Sequence, residues 1–242
     1  YAQMRPPEKV AELVRLAREG TIEIAALYTG INSDGAGAEE LVRSTFYAAE
    51  ELRRKYGIVT KTAMLSDVAG ATWGLPRALE GAGIRYFAFA PGRYKQLFDL
   101  VEHPELFYWT SPDGAKVLTR IGTGKYFFYG SGVMLRRPKT IEQDIAEMLS
   151  HYEALGKAYP YDAILLQDAD DNMPPPVDLV DIIAKWNAAH ANSRMILATP
   201  SEFFEYVEGK YRGQIPELNG DFTSAWADMM SNQPEATGIK RA

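Results

Sequence analysis

Residues 64–74, MLSDVAGATWG, join the apolar end of a predicted strand to one acidic residue, Asp67. Small residues and then Trp73 follow the aspartate. An aspartate in this place is either the cap of a helix that follows a buried strand or a catalytic carboxylate at the end of that strand. The local pattern leaves both interpretations open, because a short acidic side chain suits either task.

The composition is that of an ordinary globular protein and excludes several classes. Of 242 residues, 46% are hydrophobic and 24% are charged. The absence of cysteine excludes disulfides and thiolate metal sites. A formal net charge of -6 argues against a nucleic-acid partner. There is no apolar run of about 18 residues and no signal-peptide pattern. We therefore expect no membrane partner and a cytoplasmic location.

Strand-like and helix-like segments alternate along the chain. Several of the strand-like segments are almost entirely apolar, which is typical of parallel strands covered by helices on both faces. We expect helices at 8–20, 38–57, 71–83, 139–157, 177–190 and 201–211, strands at 21–29, 58–67, 84–91, 161–170 and 194–200, and a hairpin at 106–122 that turns at Pro112, Asp113 and Gly114.

This pattern predicts one α/β domain over residues 1–242. An open doubly wound sheet and a β/α barrel both fit the order of segments. In both architectures ligands bind at the carboxyl ends of the parallel strands. Acidic residues at those ends are therefore candidate functional residues.

Carboxylates follow three of the predicted strands. Two carboxylates on one edge are what the hydrolysis of an acetal needs, because one attacks the oxocarbenium-like centre while the other protonates the leaving oxygen. Three aspartates within the four positions 168–171 also repel one another, so a fold seldom gathers them without a cation or a ligand. The residues at the three strand ends are Asp67, then Asp168, Asp170 and Asp171, and finally Asn32 and Asp34.

Histidines and aromatic residues add less to the functional interpretation. His103, His151 and His190 fall in a loop, within a helix and near a helix end, so they indicate neither a His-rich zinc site nor a Ser-His-Asp triad. Aromatic side chains near the predicted edge, such as Trp73 and Tyr126, can stack on sugars. In the run 126–129, alternation places Tyr126 and Phe128 on one side, and we expect at least half of the residues to be core.

The order of several segments resembles glycoside hydrolase family 38, the α-mannosidases, and especially its bacterial members, so the resemblance implies a bacterial source. The segment that carries Asp67 resembles the family's nucleophile segment, and residues 161–176 resemble its acid/base segment. The resemblance implies an irregular seven-stranded parallel β/α barrel, present here incompletely. The matching stretches are 19–34, 37–52, 64–87, 161–176, 198–208 and 219–228.

The resemblance also implies a function and a set of site residues. It implies a retaining α-mannosidase that hydrolyses terminal α-mannosides through a covalent glycosyl-aspartate, with a divalent metal, usually zinc. Asp67 would be the nucleophile and a metal ligand. Asp171 would be the general acid/base, with Asp170 as the alternative register. The residues expected to bind the mannose-containing glycan are Trp73, Tyr126, Trp226 and Asp228.

Two departures from the family pattern bear on activity. The family's metal site also uses a His-x-Asp pattern from a first strand, which this sequence lacks, and a further histidine from a later region. We therefore expect an internal piece of a longer catalytic domain. Its partners would be the rest of the parent chain and, in a homo-oligomer, further copies. The isolated piece should bind metal weakly and have little activity.

Two other functions compete with this one. A metal-dependent polysaccharide deacetylase has a similar barrel with acidic strand ends, but it needs paired histidines in an H-x-x-x-H-like pattern that is absent here. A non-catalytic carbohydrate-binding barrel would use the acids at its strand ends as helix caps alone.

Overall fold

The computed structural model describes residues 2–68, 70–91, 103–122, 126, 130–169 and 172–223. Within this part of the chain no helix is both long and apolar enough to cross a membrane. The helices are α1 (Pro7–Arg18), α2 (Ala38–Tyr56), α3 (Leu75–Gly81), α4 (Ile141–Leu155), α5 (Leu179–Ala189) and α6 (Pro200–Tyr211), and the strands are β1 (Thr62–Val68), β2 (Gly70–Ala71), β3 (Tyr86–Pro91), β4 (Leu106–Thr110), β5 (Lys116–Ile121), β6 (Glu217–Leu218) and β7 (Phe222–Thr223).

The six helices form where the periodicity predicts them, and local signals set their ends. Helix α2 stops at Gly57, which adopts a left-handed conformation with φ of 64°. Pro76 lies in the first turn of α3, where its missing N–H is not needed. Helix α6 begins after Thr199, whose backbone N–H donates to the Glu202 carboxylate at 2.7 Å. This capping box starts α6 at Pro200, one residue earlier than predicted.

The main sheet has five strands in the order β1-β3-β5-β4-β6. The pairs β1–β3 and β3–β5 are parallel. Strands β4 and β5 form the predicted antiparallel hairpin, in which Thr110 pairs with Lys116 across a turn that contains Gly114 at φ of 87°. Strands β2 and β7 form a separate antiparallel pair. The predicted α/β class is therefore confirmed.

The seven-stranded parallel barrel is not confirmed. Among the described residues β1 and β6 are the outermost strands of the sheet, and they do not pair with each other to close it. Segment 21–29 contributes a single parallel bridge, between Ala26 and Ala63. Segments 161–169 and 194–199 join no ladder.

The backbone of these two apolar segments finds partners outside any strand. The Met195 N–H donates to the Asn187 side chain at 2.8 Å, and the Met195 carbonyl accepts from the same side chain at 2.9 Å. The Gln167 N–H donates to the Ser131 hydroxyl at 3.1 Å. The strand pairing that the apolar runs predict for these two segments is therefore not confirmed.

Strand β3 lies between two hydrophobic clusters. Phe87 and Phe89 are buried on one face together with residues of α2 and α3. Tyr86 and Ala88 are buried on the other face together with residues of α4, α5 and α6. Full burial of a large apolar side chain contributes about 1.5–3 kcal/mol. The two helical layers cover both faces of β3. A ligand can therefore approach this strand at its ends.

A buried ion pair ties the chain after β5 to the sheet. The side chains of Arg120 and Glu105 are each 1% exposed, and their nearest charged atoms are 3.7 Å apart. Glu105 also accepts from the Tyr152 hydroxyl at 2.9 Å. Burial raises the pKa of Tyr152, which keeps this phenol a donor. Arg120 donates to the backbone carbonyl of Tyr126 at 3.2 Å.

Replacing Arg120 by Met should lower the free energy of unfolding by about 3–5 kcal/mol, because Glu105 would remain buried without its cation. The matched control is Lys116→Met on the same strand, which removes an ion pair with Glu217 whose side chains are 44% and 57% exposed. That control should cost at most about 1 kcal/mol. Urea unfolding of both variants measures the difference, and equal losses would contradict the role given to the buried pair.

Candidate active site

Asp67 lies near the carboxyl end of β1 and interrupts its ladder. Ser66 pairs with Ala90 and Val68 pairs with Pro91, so Asp67 is an extra residue between two successive pairs with β3. Its φ is 54°, in the left-handed region. A bulge of this kind turns a side chain away from its regular direction, and it is a feature often found beside active sites.

The structure removes helix capping as the role of Asp67. Helix α3 begins at Leu75, and Gly74 occupies its cap position. Asp67 is therefore separated from the helix by β2 and the residues after it. Among the residues that the structure describes, the Asp67 carboxylate has no hydrogen-bond or ion-pair partner. It is half-buried and available to a ligand.

The chain after the bulge, residues 70–73, is held from two sides. On one side the buried Ser33 hydroxyl accepts from the Thr72 N–H at 2.9 Å and donates to the Gly70 carbonyl at 3.4 Å. On the other side the Asp221 carboxylate accepts from the Trp73 N–H at 2.6 Å. Ser33 belongs to a 3-10 helix, Ser33–Gly35. The loop that carries Asn32 and Asp34 thus lies beside the chain that follows Asp67, as predicted.

The indole ring of Trp73 extends away from the edge that carries Asp67. Its N–H donates to the carbonyl of Thr110 at 2.7 Å. Thr110 is the last residue of β4. Because β4 runs antiparallel to β5, this residue lies beside the amino end of β5, on the side of the sheet opposite the carboxyl ends of β1 and β3. Substrate contact by Trp73 stays a prediction that this placement does not favour.

Asp168 is paired with a cation. The Arg136 Nε donates to the Asp168 carboxylate at 2.7 Å, and the two side chains are 19% and 10% exposed. Arg136 ends the 3-10 helix Ser131–Arg136, whose Gly132 N–H donates to the Gln167 carbonyl at 2.7 Å. Part of the charge repulsion that the cluster 168–171 implies is therefore balanced by Arg136 rather than by a ligand.

Tyr126 has the environment of a core residue. It is 3% exposed, and its ring lies 5.2 Å from the ring of His151 and 6.0 Å from that of Tyr152. The other residues of the run, 127–129, lie outside the described residues. Substrate binding by Tyr126 remains a prediction.

The remaining predicted site residues, Asp170, Asp171, Trp226 and Asp228, lie outside the described residues. Their roles stay predictions, and so does the separation of the two catalytic carboxylates. In the described part of the chain no group of three or more His, Asp or Glu side chains is arranged to hold a metal ion. Metal ligation by Asp67 is therefore also untested.

Sequence reasoning missed the residues that hold the two acidic segments in place. Ser33 lies 37 residues from Gly70, Arg136 lies 32 from Asp168, and Asp221 lies 148 from Trp73. Each reads locally as an ordinary polar loop residue. No periodicity or spacing connects contacts at such separations, so no signal in the sequence could have identified them.

A helix-covered, largely parallel sheet with an available carboxylate at a strand end defines an α/β domain of the kind that carries its site at that edge. The family model described as the glycosyl hydrolases family 38 N-terminal domain matches residues 1–228. The chain belongs to this family, which confirms the resemblance seen in the sequence.

Solved structures share the fold. An alpha-mannosidase from Enterococcus faecalis V583 matches with a TM-score of 0.75 and 19% identity over 91% of this chain and 24% of that one. A family 38 glycosyl hydrolase from Enterococcus faecalis gives 0.62 and 17%, over 91% and 22%. A 4-alpha-glucanotransferase from Thermococcus litoralis gives 0.53 and 17%, over 84% and 31%. The chain thus spans about a quarter of the length of the first two. No curated protein sequence matched.

Gly132→Ala should destabilise the protein by about 1–3 kcal/mol. A Cβ on Gly132 would lie 2.9 Å from the backbone N, the Cα and the Cβ of Asp168, so one of the two segments would have to move. Gly209→Ala in α6 is the control, since a Cβ there meets nothing within 4 Å and should stabilise by about 0.5–1 kcal/mol. Denaturant unfolding that gave both variants the same stability would contradict this close approach.

Proposed function

We propose that the chain forms part of a retaining α-mannosidase acting on mannose-containing glycans. The observation that carries the proposal is the family 38 match over residues 1–228. The likeness to the structure of an alpha-mannosidase agrees with it. The seven-stranded barrel, with 161–169 and 194–199 as strands, belongs to the same proposal.

In the proposed mechanism Asp67 and Asp171 divide the chemistry. The Asp67 carboxylate attacks the anomeric carbon, and the bond to the leaving oxygen breaks as Asp171 gives that oxygen its proton. A glycosyl ester on Asp67 results. Asp171 then removes a proton from a water molecule, which attacks the same carbon and releases Asp67. Asp170 is the alternative acid/base.

The bulged position of Asp67 supports its part in this mechanism. A nucleophile needs a carboxylate that is not already used by the protein, and Asp67 meets that condition among the described residues. Asp168 does not, because Arg136 holds it. The structure therefore favours Asp67 over Asp168 as the reacting group.

Zinc is the part of the proposal with the least structural support. A zinc site needs about four ligands, and the described residues bring no three suitable side chains together. The described residues do not fit a complete site, and the proposed mechanism uses no metal. Metal ligation by Asp67 rests on the family resemblance.

Asparagine substitutions in the natural full-length protein test the two roles. Hydrolysis of a chromogenic α-mannoside should fall by about 10²–10⁴-fold in Asp171→Asn, as for the loss of a general acid/base. The loss in Asp67→Asn should be at least as large, because no covalent intermediate can form. The matched control is Asp181→Asn at an exposed position in α5, which should leave the rate unchanged.

The outcomes separate the competing functions. Full activity in both variants would contradict the site assignment. If Asp170→Asn lost activity and Asp171→Asn kept it, the acid/base would be Asp170 and not Asp171. Sugar binding without turnover in the wild-type protein would favour a carbohydrate-binding domain.

A further inference from the structure

The ladder of β1 does not by itself fix the backbone of Asp67. The last pair with β3 is Val68–Pro91, and Asp67 is the unpaired residue just before it. Its φ of 54° is a conformation that an L-residue keeps when its surroundings hold it there. Contacts of the chain that follows the bulge must supply part of that restraint.

One restraint after the bulge is the Ser33 hydroxyl. It contacts two backbone groups of the same short segment, the Gly70 carbonyl and the Thr72 N–H. Three residues span at most about 11 Å, so Gly70 lies within that distance of Asp67. Ser33 is 2% exposed, so water would not easily replace its hydroxyl.

The same segment is fixed on its other side. Gly70 pairs with Thr223 and Ala71 pairs with Phe222 in the β2–β7 ladder, and Asp221 accepts from the Trp73 N–H. These contacts hold the segment on the side away from Ser33. Ser33 supplies the side-chain contact that couples the loop before α2 to the residues after the bulge.

We propose that Ser33 is a positioning residue for Asp67, holding the backbone of residues 70–72 so that the bulged carboxylate keeps its direction. The inference rests on the proposed function, because it assigns Asp67 the role of nucleophile. Ser33 itself touches neither the substrate nor the reacting atoms. Its hydroxyl both donates and accepts, so alanine removes both contacts and threonine retains them.

The test uses the natural full-length protein. Ser33→Ala should lower kcat for the α-mannoside by about 10- to 100-fold with little change in KM, as expected when a nucleophile is misplaced. Ser33→Thr should recover most of the rate. Ser44→Ala is the matched control, because it also removes the hydroxyl of a buried serine, one that donates to the Leu41 carbonyl within α2. It should leave kcat unchanged.

Amide hydrogen exchange supplies a second measurement that needs no activity. Exchange of the Thr72 amide should be faster in Ser33→Ala than in the wild type and unchanged in Ser44→Ala. Unchanged exchange in Ser33→Ala would overturn the restraint. Faster exchange with an unaltered kcat, or an equal fall of kcat in Ser44→Ala, would overturn the positioning role. A wild-type protein with no glycosidase activity would overturn the proposed function and with it the catalytic part of this inference.

Discussion

Strand β3 is hydrogen-bonded to a parallel strand on each side and buried on both faces, and the other elements take their positions from it. Its pairs with β1 and β5 bring the carboxyl ends of three strands to one edge. Phe87 and Phe89 face one helical layer, and Tyr86 and Ala88 face the other. Because both faces are covered, chemistry is confined to the ends of the strands, where Asp67 lies.

The bulge at Asp67 is where the regular pairing of β1 with β3 is interrupted. One extra residue in β1 turns this carboxylate out of the ladder, and its positive φ has a cost that the surrounding contacts must offset. After Val68 the chain no longer pairs with β3. It pairs with β7 as strand β2, and the Thr72 N–H then donates to the Ser33 hydroxyl. Asp168 differs, since its carboxylate is paired with Arg136 and Gly132 lies against its backbone.

Local sequence patterns predicted the helices and the hairpin, because these elements depend on residues that are close together in the sequence. Helical periodicity placed α2, and the Pro112–Gly114 turn predicted the hairpin β4–β5. The position of Asp67 at a strand end also follows from the sequence. Its bulge does not, because this depends on the register with β3. Apolar runs predict strands at 161–169 and 194–199, and their pairing is not confirmed, because apolar composition does not specify the partner strand. The backbone contacts that these segments make are with the side chains of Asn187 and Ser131.

Identification of the residue that forms the covalent intermediate tests the central claim most directly. The natural full-length protein would be treated with a fluoro-mannoside that glycosylates the enzyme quickly and is hydrolysed slowly, and its peptides would be analysed by mass spectrometry. We expect one sugar on the peptide that contains Asp67, and fragmentation should assign it to that residue. Inactivation with the sugar on another carboxylate, Asp168 included, would contradict the account.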